Sequence, residues 1–282
     1  MWWKRSVLGR TLAIVALATG LAGYAGQGAA APSYAAIVID TKSGEVLHAA
    51  DPDAPRYPAS LTKMMTLYLL FGSISSRKTS LRTEIGMSAH CAALPPSKLG
   101  LKPGETIAVR DAILALVVKS ANDVACAVGE HLSGSEAAFA QEMTARARRL
   151  GMTRTVFRNA SGLPDPAQVT TARDMATLGQ ALQDDFPRSF SYFKTKTFTW
   201  GGRTYLNHNK LLGRVDGVDG IKTGYTDASG FNLVCSAQRG RSEVIAVVLG
   251  GNTAAARDAR MTALLDEYMP PASKGFRLFK RK

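Results

Sequence analysis

The chain has 282 residues, of which 46% are hydrophobic and 20% charged, an ordinary composition for a globular protein with a sizeable core. Its 35 Lys and Arg residues against 22 Asp and Glu residues give a formal net charge of +13, which suits an anionic membrane surface or another anionic polymer. The basic residues are scattered apart from a C-terminal cluster and only 7% of residues are aromatic, so we expect no nucleic-acid partner.

The start of the chain has the pattern of a secretory signal peptide. Positive residues that include Lys4 and Arg5 precede an apolar run over 11–22, and small residues follow. This pattern predicts a signal peptide over residues 1–30, cleaved after Ala30. An uncleaved membrane anchor is the alternative, although a bilayer span needs about 20 apolar residues. We therefore expect secretion across the inner membrane and a periplasmic or cell-envelope location.

The first elements of the mature chain are a β-hairpin and a buried helix. Two β-rich runs around a glycine-containing turn predict the hairpin over 35–49. Apolar residues at helical spacing predict a helix that follows Pro58 and runs to about Phe71. Ser60 would lie in the first turn of this helix, with Lys63 one turn later on the same face.

The middle of the chain, roughly residues 80–190, is predicted to be mostly helical. Residues 109–132 indicate two buried helices, interrupted by the polar segment 119–123, which is predicted to be a tight joint. Two further helices and one hairpin are predicted at 135–150, 172–182 and 194–206.

The last third of the chain is rich in β-strand signals. Three strands at hairpin spacing and one closing amphipathic helix are predicted at 218–224, 231–237, 243–249 and 254–269. The order of elements predicts an α/β (α+β) fold, with an antiparallel sheet built from both chain ends, flanking helices and a mostly helical insertion. The predicted domain covers 31–270. The basic tail 271–282 is expected to be a disordered extension, with weak peripheral contact to an anionic membrane as the alternative.

Ser60 and Lys63 are a candidate nucleophile and base. A lysine close to a dry interior is costly unless it is paired or its pKa is lowered. A neutral amine one helical turn from a hydroxyl can take the hydroxyl proton, so that the oxygen can attack a carbonyl group. Three other sites follow along the chain, each at an expected element: Ser120-Ala121-Asn122, Lys222-Thr223-Gly224 and Arg257. Each match is weak alone, but the ordered set is strong.

On these motifs the chain resembles the serine penicillin-recognising enzymes, most closely the low-molecular-weight penicillin-binding proteins that are D-alanyl-D-alanine carboxypeptidases. The resemblance runs from about residue 33 to 270. The stretches that carry it are 58–66, 120–123, 161–163, 172–176 and 219–226. It implies a β-lactamase/DD-peptidase-like fold, with Ser60 as the acylated nucleophile and Lys63 as its general base.

The other motif residues would also serve the acylation of Ser60. The positive charge of Lys222 would help to keep Lys63 neutral. Ser120 could relay a proton to the leaving amine. Asn122 offers a donor and an acceptor, for the amide of the substrate and for Lys63.

The remaining motif residues would bind substrate. Gly224 would let the substrate backbone lie close to its strand. Thr223 and Arg257 would hold a C-terminal carboxylate. The backbone N–H groups of Ser60 and, by analogy, Tyr225 would form an oxyanion hole.

The resemblance implies removal of the terminal D-alanine from peptidoglycan stem peptides, with β-lactam antibiotics as covalent inhibitors and no cofactor or metal. A peptidoglycan endopeptidase, a β-lactamase and a non-catalytic penicillin-binding sensor are the rival functions. Class A β-lactamases use an additional glutamate, and the corresponding segment 159–165 contains none.

Structural roles are the alternative for several of these residues. Ser120 and Asn122 could cap the following helix, and Lys222 could lie at an exposed strand end. Arg257 could lie on a solvated helix face, with Arg260 competing for its role.

The histidines and cysteines carry no recognisable catalytic or metal-binding pattern. His48, His90, His131 and His208 have no paired serine or metal spacing, and we interpret them as surface or core residues. His208 lies in a polar segment that could border a cleft, and its role stays open. Three cysteines, Cys91, Cys126 and Cys235, leave at least one free thiol. We interpret Cys126 and Cys235 as small buried hydrophobic residues, and whether any two of the three form a disulfide stays open.

Overall fold

The computed structural model describes Met1, Trp2 and residues 34–271. The predicted signal peptide, apart from its first two residues, and the basic tail after Pro271 lie outside the described residues. Of the helices in the described part of the chain, none combines the length and the apolar character that crossing a bilayer requires.

The centre of the fold is a five-stranded antiparallel sheet in the order β2-β1-β9-β8-β7. Its strands are β1 Ala35–Asp40, β2 Val46–Ala50, β7 Val218–Thr226, β8 Gly230–Arg239 and β9 Ser242–Gly251. Both ends of the described chain therefore contribute to one sheet, as the sequence predicts. β7 lies at one edge, so one side of this strand has no partner among the described strands.

Four further short strands of the described chain form two separate antiparallel pairs. They are β3 Glu84–Gly86, β4 Thr106–Ala108, β5 Thr197–Trp200 and β6 Arg203–Leu206. β5 and β6 confirm the hairpin predicted over 194–206.

The helices cover both faces of the sheet and fill the middle of the chain. They are α1 Lys63–Ser75, α2 Ala89–Ala93, α3 Val109–Leu114, α4 Asn122–Ser133, α5 Glu136–Arg149, α6 Ala172–Asp185, α7 Pro187–Phe190 and α8 Ala254–Tyr268. Alternate residues of β9 face opposite sides, as the two-residue period of a strand requires. Ile245 packs in the larger core, which also contains α6 residues, whereas Ala246 packs in the smaller core beside α8.

α1 is buried over most of its length. Its residues from Lys63 to Phe71 are all buried, and helices α4, α5 and α6 pack around it. The predicted start at Ser60 is wrong by one turn. Residues Ala59–Thr62 form a 3-10 turn before the α-helix, which we call the Ser60 turn, and Ala59 opens it with a left-handed φ of 48°.

The polar segment 119–123 is confirmed as a tight joint between helices. α3 continues through one π-helical turn, Ala115–Lys119, and α4 begins at Asn122. Ser120 lies between them in the left-handed conformation, with φ 59° and ψ 41°. The left-handed conformation is uncommon for residues other than glycine and costs free energy. The surrounding structure must therefore hold Ser120 in it.

Two of the cysteines are bonded to each other. Cys91 in α2 and Cys126 in α4 form a disulfide across a Cα–Cα distance of 5.4 Å. The interpretation of Cys126 as a simple buried hydrophobic residue is therefore wrong, because α2 brings a second thiol against it. Cys235 is free and buried, as predicted. Burial raises the pKa of the Cys235 thiol, so it stays protonated.

Candidate active site

A cleft of about 640 Å³ opens where the Ser60 turn, the joint before α4 and the end of β7 meet. Seven of the residues singled out in the sequence line it: Ser60, Ser120, Asn122, Thr223, Gly224, Tyr225 and Arg257. Lys63 and Lys222 lie behind its wall, with exposed fractions of 0% and 1%. Residues that are far apart in sequence are thus brought to one place.

Two glycines let other segments approach the Ser60 turn. A Cβ atom on Gly224 would lie 3.0 Å from Pro58 O and 3.1 Å from Ser60 N. One on Gly162 would lie 1.9 Å from Ala59 O. Gly224 was expected to make room for substrate. It does line the cleft, but the atoms that a side chain would meet belong to the Ser60 turn itself.

Asn232 in β8 also supports the Ser60 turn, a role that the sequence did not suggest. Its Nδ2 donates to Tyr57 O at 3.0 Å and to Pro58 O at 3.3 Å. Its Oδ1 accepts a hydrogen bond from Gly250 N at 2.9 Å, and the side chain is fully buried. The turn that carries Ser60 is therefore tied directly to the sheet.

The amine of Lys63 has three close neighbours. Its Nζ lies 2.8 Å from Asn122 Oδ1, 2.6 Å from Ser161 O and 3.2 Å from Ser60 Oγ. The Asn122 amide is oriented by its Nδ2, which donates to Pro95 O at 2.9 Å. Asn122 Oδ1 and Ser161 O can only accept hydrogen bonds. A neutral amine has two N–H groups, which can donate to these two oxygens, and one lone pair. The lone pair is therefore left for the hydroxyl proton of Ser60.

The surroundings of Lys63 favour this neutral form. Burial is the largest cause that holds the pKa of Lys63 well below 10.5, and the charge of Lys222 lowers it further. The charges of Asp123 and Glu136 act in the opposite direction. The expected contribution of Lys222 is present, but the larger one comes from burial.

Ser120 does not cap the helix that follows it. The residue at the cap position of α4 is Ala121, which provides no side-chain hydrogen bond. The Ser120 Oγ is buried and has no hydrogen-bond partner within the described residues. An unpaired buried hydroxyl costs about 1–3 kcal/mol, so its position at the cleft wall suits a group that bonds to a bound molecule.

Asn122 and the acid beside it fix the joint to the segment 95–100. The Asn122 backbone N donates to Ser97 O at 2.7 Å. The buried Asp123 carboxylate accepts from Leu99 N at 3.1 Å and Gly100 N at 2.8 Å. This wall of the cleft is therefore held by hydrogen bonds.

Lys222 and Arg257 are buried at the cleft, which contradicts both structural alternatives. Lys222 Nζ donates to Thr223 O at 2.9 Å. Burial, followed by the charge of Arg257, lowers the pKa of Lys222 to about 7. Arg257, only 4% exposed, donates to Asp258 Oδ1 and Asn232 O. Its competitor Arg260 does not line the cleft and donates to Tyr34 OH instead.

The segment 159–163 completes the site from behind, and Ser161 O is its contribution. Asn159 Oδ1 accepts from Ser161 N at 3.2 Å and Gly162 N at 2.7 Å, and Asn159 Nδ2 donates to Leu163 O. Glu136 Oε1 accepts from Ala160 N at 3.1 Å. The stretch 161–163 was noted in the sequence only as a resemblance, because a backbone carbonyl leaves no mark on residue type.

His208 lines the cleft, as its polar segment allowed. Burial lowers the pKa of His208 to about 4, and the charge of Lys222 is the next largest cause. The imidazole is therefore neutral at physiological pH. Its neighbours are anchored, since Asn207 Nδ2 donates to Thr195 O and Asn209 Nδ2 donates to Gly220 O.

One group of potential metal ligands occurs in the described part of the chain. Donor atoms of His90, Cys126 and Glu130 lie within 4.8 Å of one another. The Cys126 sulfur is bonded to Cys91, so it cannot act as a thiolate ligand. Only His90 and Glu130 then remain as donors, and two ligands are fewer than a protein metal site usually provides.

Comparison with known sequences places these features in context. The family model for D-alanyl-D-alanine carboxypeptidase matches residues 24–253. The D-alanyl-D-alanine carboxypeptidase DacA of Escherichia coli is 40% identical over 252 residues, which cover 86% of this chain and 60% of the relative. DacF of Bacillus subtilis is 33% identical over 242 residues, 82% of this chain and 60% of the relative. The chain thus spans about 60% of the length of these curated relatives.

Solved structures give the same picture of the fold. The D-alanyl-D-alanine carboxypeptidase DacD of Francisella tularensis superposes with a TM-score of 0.81 at 30% identity, over 84% of this chain and 69% of that chain. Penicillin-binding protein D2 of Listeria monocytogenes, in its ampicillin-bound form, superposes with a TM-score of 0.74 at 32% identity. The match covers 82% of this chain and 95% of that chain. The fold expected from the motifs is confirmed.

Proposed function

The chain belongs to the D-alanyl-D-alanine carboxypeptidase family, and from this premise we propose that it is a serine-type carboxypeptidase that removes the terminal D-alanine from peptidoglycan stem peptides. The observation that carries the proposal is the hydrogen bonding of Lys63. In the neutral form, donation to Asn122 Oδ1 and Ser161 O would use both N–H groups and leave the lone pair for the hydroxyl of Ser60, 3.2 Å away. A hydroxyl in contact with a neutral buried amine is a nucleophile with its base in place.

Acylation begins when Ser60 Oγ attacks the carbonyl carbon of the scissile amide and its proton passes to Lys63 Nζ. The backbone N–H groups of Ser60 and Tyr225 donate to the oxyanion, each worth about 3–4 kcal/mol in the transition state. Gly224 supports this arrangement, because the lack of a Cβ lets β7 approach Ser60 N.

The leaving group then needs a proton. As the C–N bond breaks, the proton held by Lys63 reaches the departing amine through Ser120 Oγ, which has no other partner in the described structure. D-Alanine leaves and Ser60 remains as an ester. Water then attacks the ester carbonyl and gives one proton to Lys63. The ester bond to Ser60 breaks, the shortened peptide leaves with its new carboxyl group, and Lys63 passes the proton to Ser60 Oγ.

Substrate binding uses the free edge of β7. An extended peptide can pair with this edge as an added strand. Its C-terminal carboxylate would lie against Thr223 and the Arg257 guanidinium, with the charge of Lys222 nearby. Asn122 would bond to the amide on the acyl side.

β-Lactam antibiotics would acylate Ser60 by the same route. Among the described residues that line the cleft there is no glutamate, the group that class A β-lactamases use to hydrolyse the acyl-enzyme. This supports slow β-lactam release over β-lactamase activity. An envelope location completes the proposal.

The test of this function compares the mature protein, residues 31–282, with its Ser60→Ala variant. D-Alanine release is measured from an acetylated Lys-D-Ala-D-Ala peptide, alongside hydrolysis of a chromogenic cephalosporin and labelling by a fluorescent penicillin. We expect D-alanine release and labelling, both lost in the variant. Fast cephalosporin turnover without D-alanine release would overturn the carboxypeptidase, and labelling that survives Ser60→Ala would overturn the nucleophile.

A pH profile tests the role of Lys63 as the base. Only its neutral form can accept the Ser60 proton, so kcat/KM should fall as the pH drops through the lowered pKa of Lys63. The negative charge of Glu136 raises that pKa. Glu136→Gln keeps an acceptor for Ala160 N but removes the charge, so the acidic limb should move to lower pH.

The matched control is Glu142→Gln on the same helix, where the carboxylate accepts from Ser133 Oγ and is not among the groups that shift Lys63. Its acidic limb should coincide with that of the wild type. An unmoved limb in Glu136→Gln, or a shift to higher pH, would contradict the assignment of Lys63 as the titrating base.

A further inference from the structure

The Cys91–Cys126 disulfide joins two helices that are anchored very differently. Cys126 lies in α4, where residues 122–129 are all buried. Cys91 lies in the five-residue helix α2, of which it is the one buried residue. So short a helix has little stability of its own, and exposed side chains add little packing. The covalent bond to Cys126 is therefore the strongest tie between α2 and the core of the protein.

The segment 94–100, which we call the α2 loop, continues from α2 and forms one wall of the cleft. Pro96 and Ser97 line the cleft directly. The structure describes every residue of the α2 loop, and none of them is buried. Because little packing fixes the loop, its position depends on its hydrogen bonds and on the end of α2 from which it starts.

The α2 loop orients the first acceptor of the Lys63 amine. Pro95 O, four residues after Cys91, accepts a hydrogen bond from Asn122 Nδ2 at 2.9 Å. The same amide presents its Oδ1 to Lys63 Nζ at 2.8 Å. A shift of the α2 loop would free this amide to rotate and to present its NH₂ group to the amine instead.

The second acceptor of the Lys63 amine is also reached from α2. His90 Nε2, on the residue next to Cys91, lies 3.1 Å from Glu136 Oε2. The other oxygen of Glu136 accepts from Ala160 N at 3.1 Å, and the following residue provides Ser161 O, which lies 2.6 Å from Lys63 Nζ. One short helix thus contacts the supports of both carbonyl oxygens that surround the base.

We propose that Cys91 and Cys126 are positioning residues for the acylation of Ser60, and that oxidation of their thiols to the disulfide raises the acylation rate. The bond holds α2 against α4, and α2 holds the two acceptors of Lys63 in place. Misplacement of reacting groups by about 1 Å can cost a hundredfold in rate. The inference rests on the proposed function only in taking Ser60 as the nucleophile and Lys63 as its base.

Formation of the bond requires an oxidant, and a small-molecule or protein disulfide supplies it. One cysteine thiolate attacks the disulfide of the oxidant and releases a first thiol. The other thiolate attacks the mixed disulfide, releases the second thiol and closes the Cys91–Cys126 bond. The two cysteines lose two protons and two electrons, and the oxidant is reduced to two thiols. Both cysteines are fully buried in the folded chain, so this exchange takes place before folding is complete.

Two forms of one chain test the proposal. The purified protein is unfolded in denaturant and refolded either with dithiothreitol or with a mixture of oxidised and reduced glutathione. Alkylation and mass spectrometry identify the dithiol and disulfide forms, and circular dichroism verifies that each is folded. The readout is the second-order rate constant for labelling by a fluorescent penicillin. We expect the disulfide form to be labelled about ten- to a hundredfold faster than the dithiol form.

Two variants separate the bond from the thiols. Cys91→Ala combined with Cys126→Ala, the disulfide-free variant, should be labelled slowly after either refolding. Cys235→Ala removes the buried free thiol and keeps the bond, so it should label like the wild type and keep the dependence on refolding conditions. Equal labelling of the folded disulfide and dithiol forms overturns the positioning role. Failure of both the dithiol form and the disulfide-free variant to fold also overturns it, because the bond would then serve folding alone.

The pH dependence of labelling separates positioning from stability. Burial is the largest cause that lowers the pKa of Lys63, and charges on Lys222, Asp123 and Glu136 also act on this pKa. The disulfide-free variant keeps all of these groups, and His90 beside Glu136, but looser packing admits water to the amine. The pKa of Lys63 should therefore rise and the acidic limb of the labelling rate should move to higher pH. A loss of stability alone would not move this limb, so an unmoved limb overturns the proposal.

The positioning role and the proposed function fail in different measurements. A wild-type protein that labels with penicillin but releases no D-alanine from the acetylated Lys-D-Ala-D-Ala peptide overturns the carboxypeptidase. Equal labelling rates of the folded disulfide and dithiol forms, in a protein that does release D-alanine, overturn the role of Cys91 and Cys126 alone.

Discussion

Replacing Lys63 with methionine is expected to slow acylation of Ser60 by about a thousandfold or more, because the proton of the attacking hydroxyl then has no acceptor. Methionine has nearly the length of lysine and no charge, so it can occupy the fully buried site. Asn122 Oδ1 and Ser161 O would each lose a donor, at a cost of about 1–3 kcal/mol per group. The measurement is the second-order rate constant for labelling by a fluorescent penicillin, with circular dichroism to verify the fold.

Lys63→Arg provides the complementary experiment. Arginine can still donate to both carbonyl oxygens, but its guanidinium does not lose its proton at accessible pH. It should therefore be as inactive as Lys63→Met. Lys78→Met, at an exposed lysine after α1, should label at the wild-type rate. Acylation at a normal rate in Lys63→Arg would contradict the general-base role.

Gly162→Ala should cost about 2–4 kcal/mol of folding free energy and slow acylation as well. The added Cβ would lie 1.9 Å from Ala59 O, and the φ of +86° is one that alanine rarely adopts. Relief requires either the 159–163 segment or the Ser60 turn to move, and both contact Lys63 or Ser60. The free energy of unfolding from denaturant titration and the penicillin labelling rate measure the two effects.

Gly151→Ala isolates the backbone part of this cost. Gly151 has nearly the same φ, +85°, but nothing lies within 4 Å of the position of its Cβ. The Gly151→Ala variant should lose only roughly 1–2 kcal/mol of folding free energy, the cost of a left-handed alanine, and should keep the wild-type labelling rate. Equal destabilisation by the two substitutions would show that the close approach of Gly162 to Ala59 is unimportant.

The elements of the fold were predictable where hydrophobic periodicity decides the structure. The three strands from Val218 onward and the closing helix from Ala254 have ends within a few residues of those predicted. The Ser60 turn was missed because 3-10 and α-helical turns share the same residue pattern over four positions. The sequence does not indicate the disulfide, because pairing depends on the distance between α2 and α4, which no spacing in the sequence gives.

The part of the candidate site that consists of side chains was predictable from the sequence. The sequence could not choose between Arg257 and Arg260 with certainty, because they lie one turn apart and only the packing of α8 determines which one faces the cleft. Ser161 O and the complete burial of Lys63 were out of reach for a different reason, although the sequence places this lysine close to a dry interior. They arise from tertiary packing of the 159–163 segment and α4 around α1, and neither requires a particular residue pattern.

The burial of Lys63 also has a thermodynamic consequence for the whole chain. In the unfolded chain this lysine keeps its proton up to about pH 10.4, whereas in the folded chain it loses the proton at a much lower pH. Between those two pH values the unfolded state binds more protons, so the contribution of this residue to the free energy of unfolding increases with pH. Folding in this pH range thus releases a proton, and each unit by which the unfolded-state pKa exceeds the pH is about 1.4 kcal/mol of stability given up. A chain selected for stability alone would discard the amine.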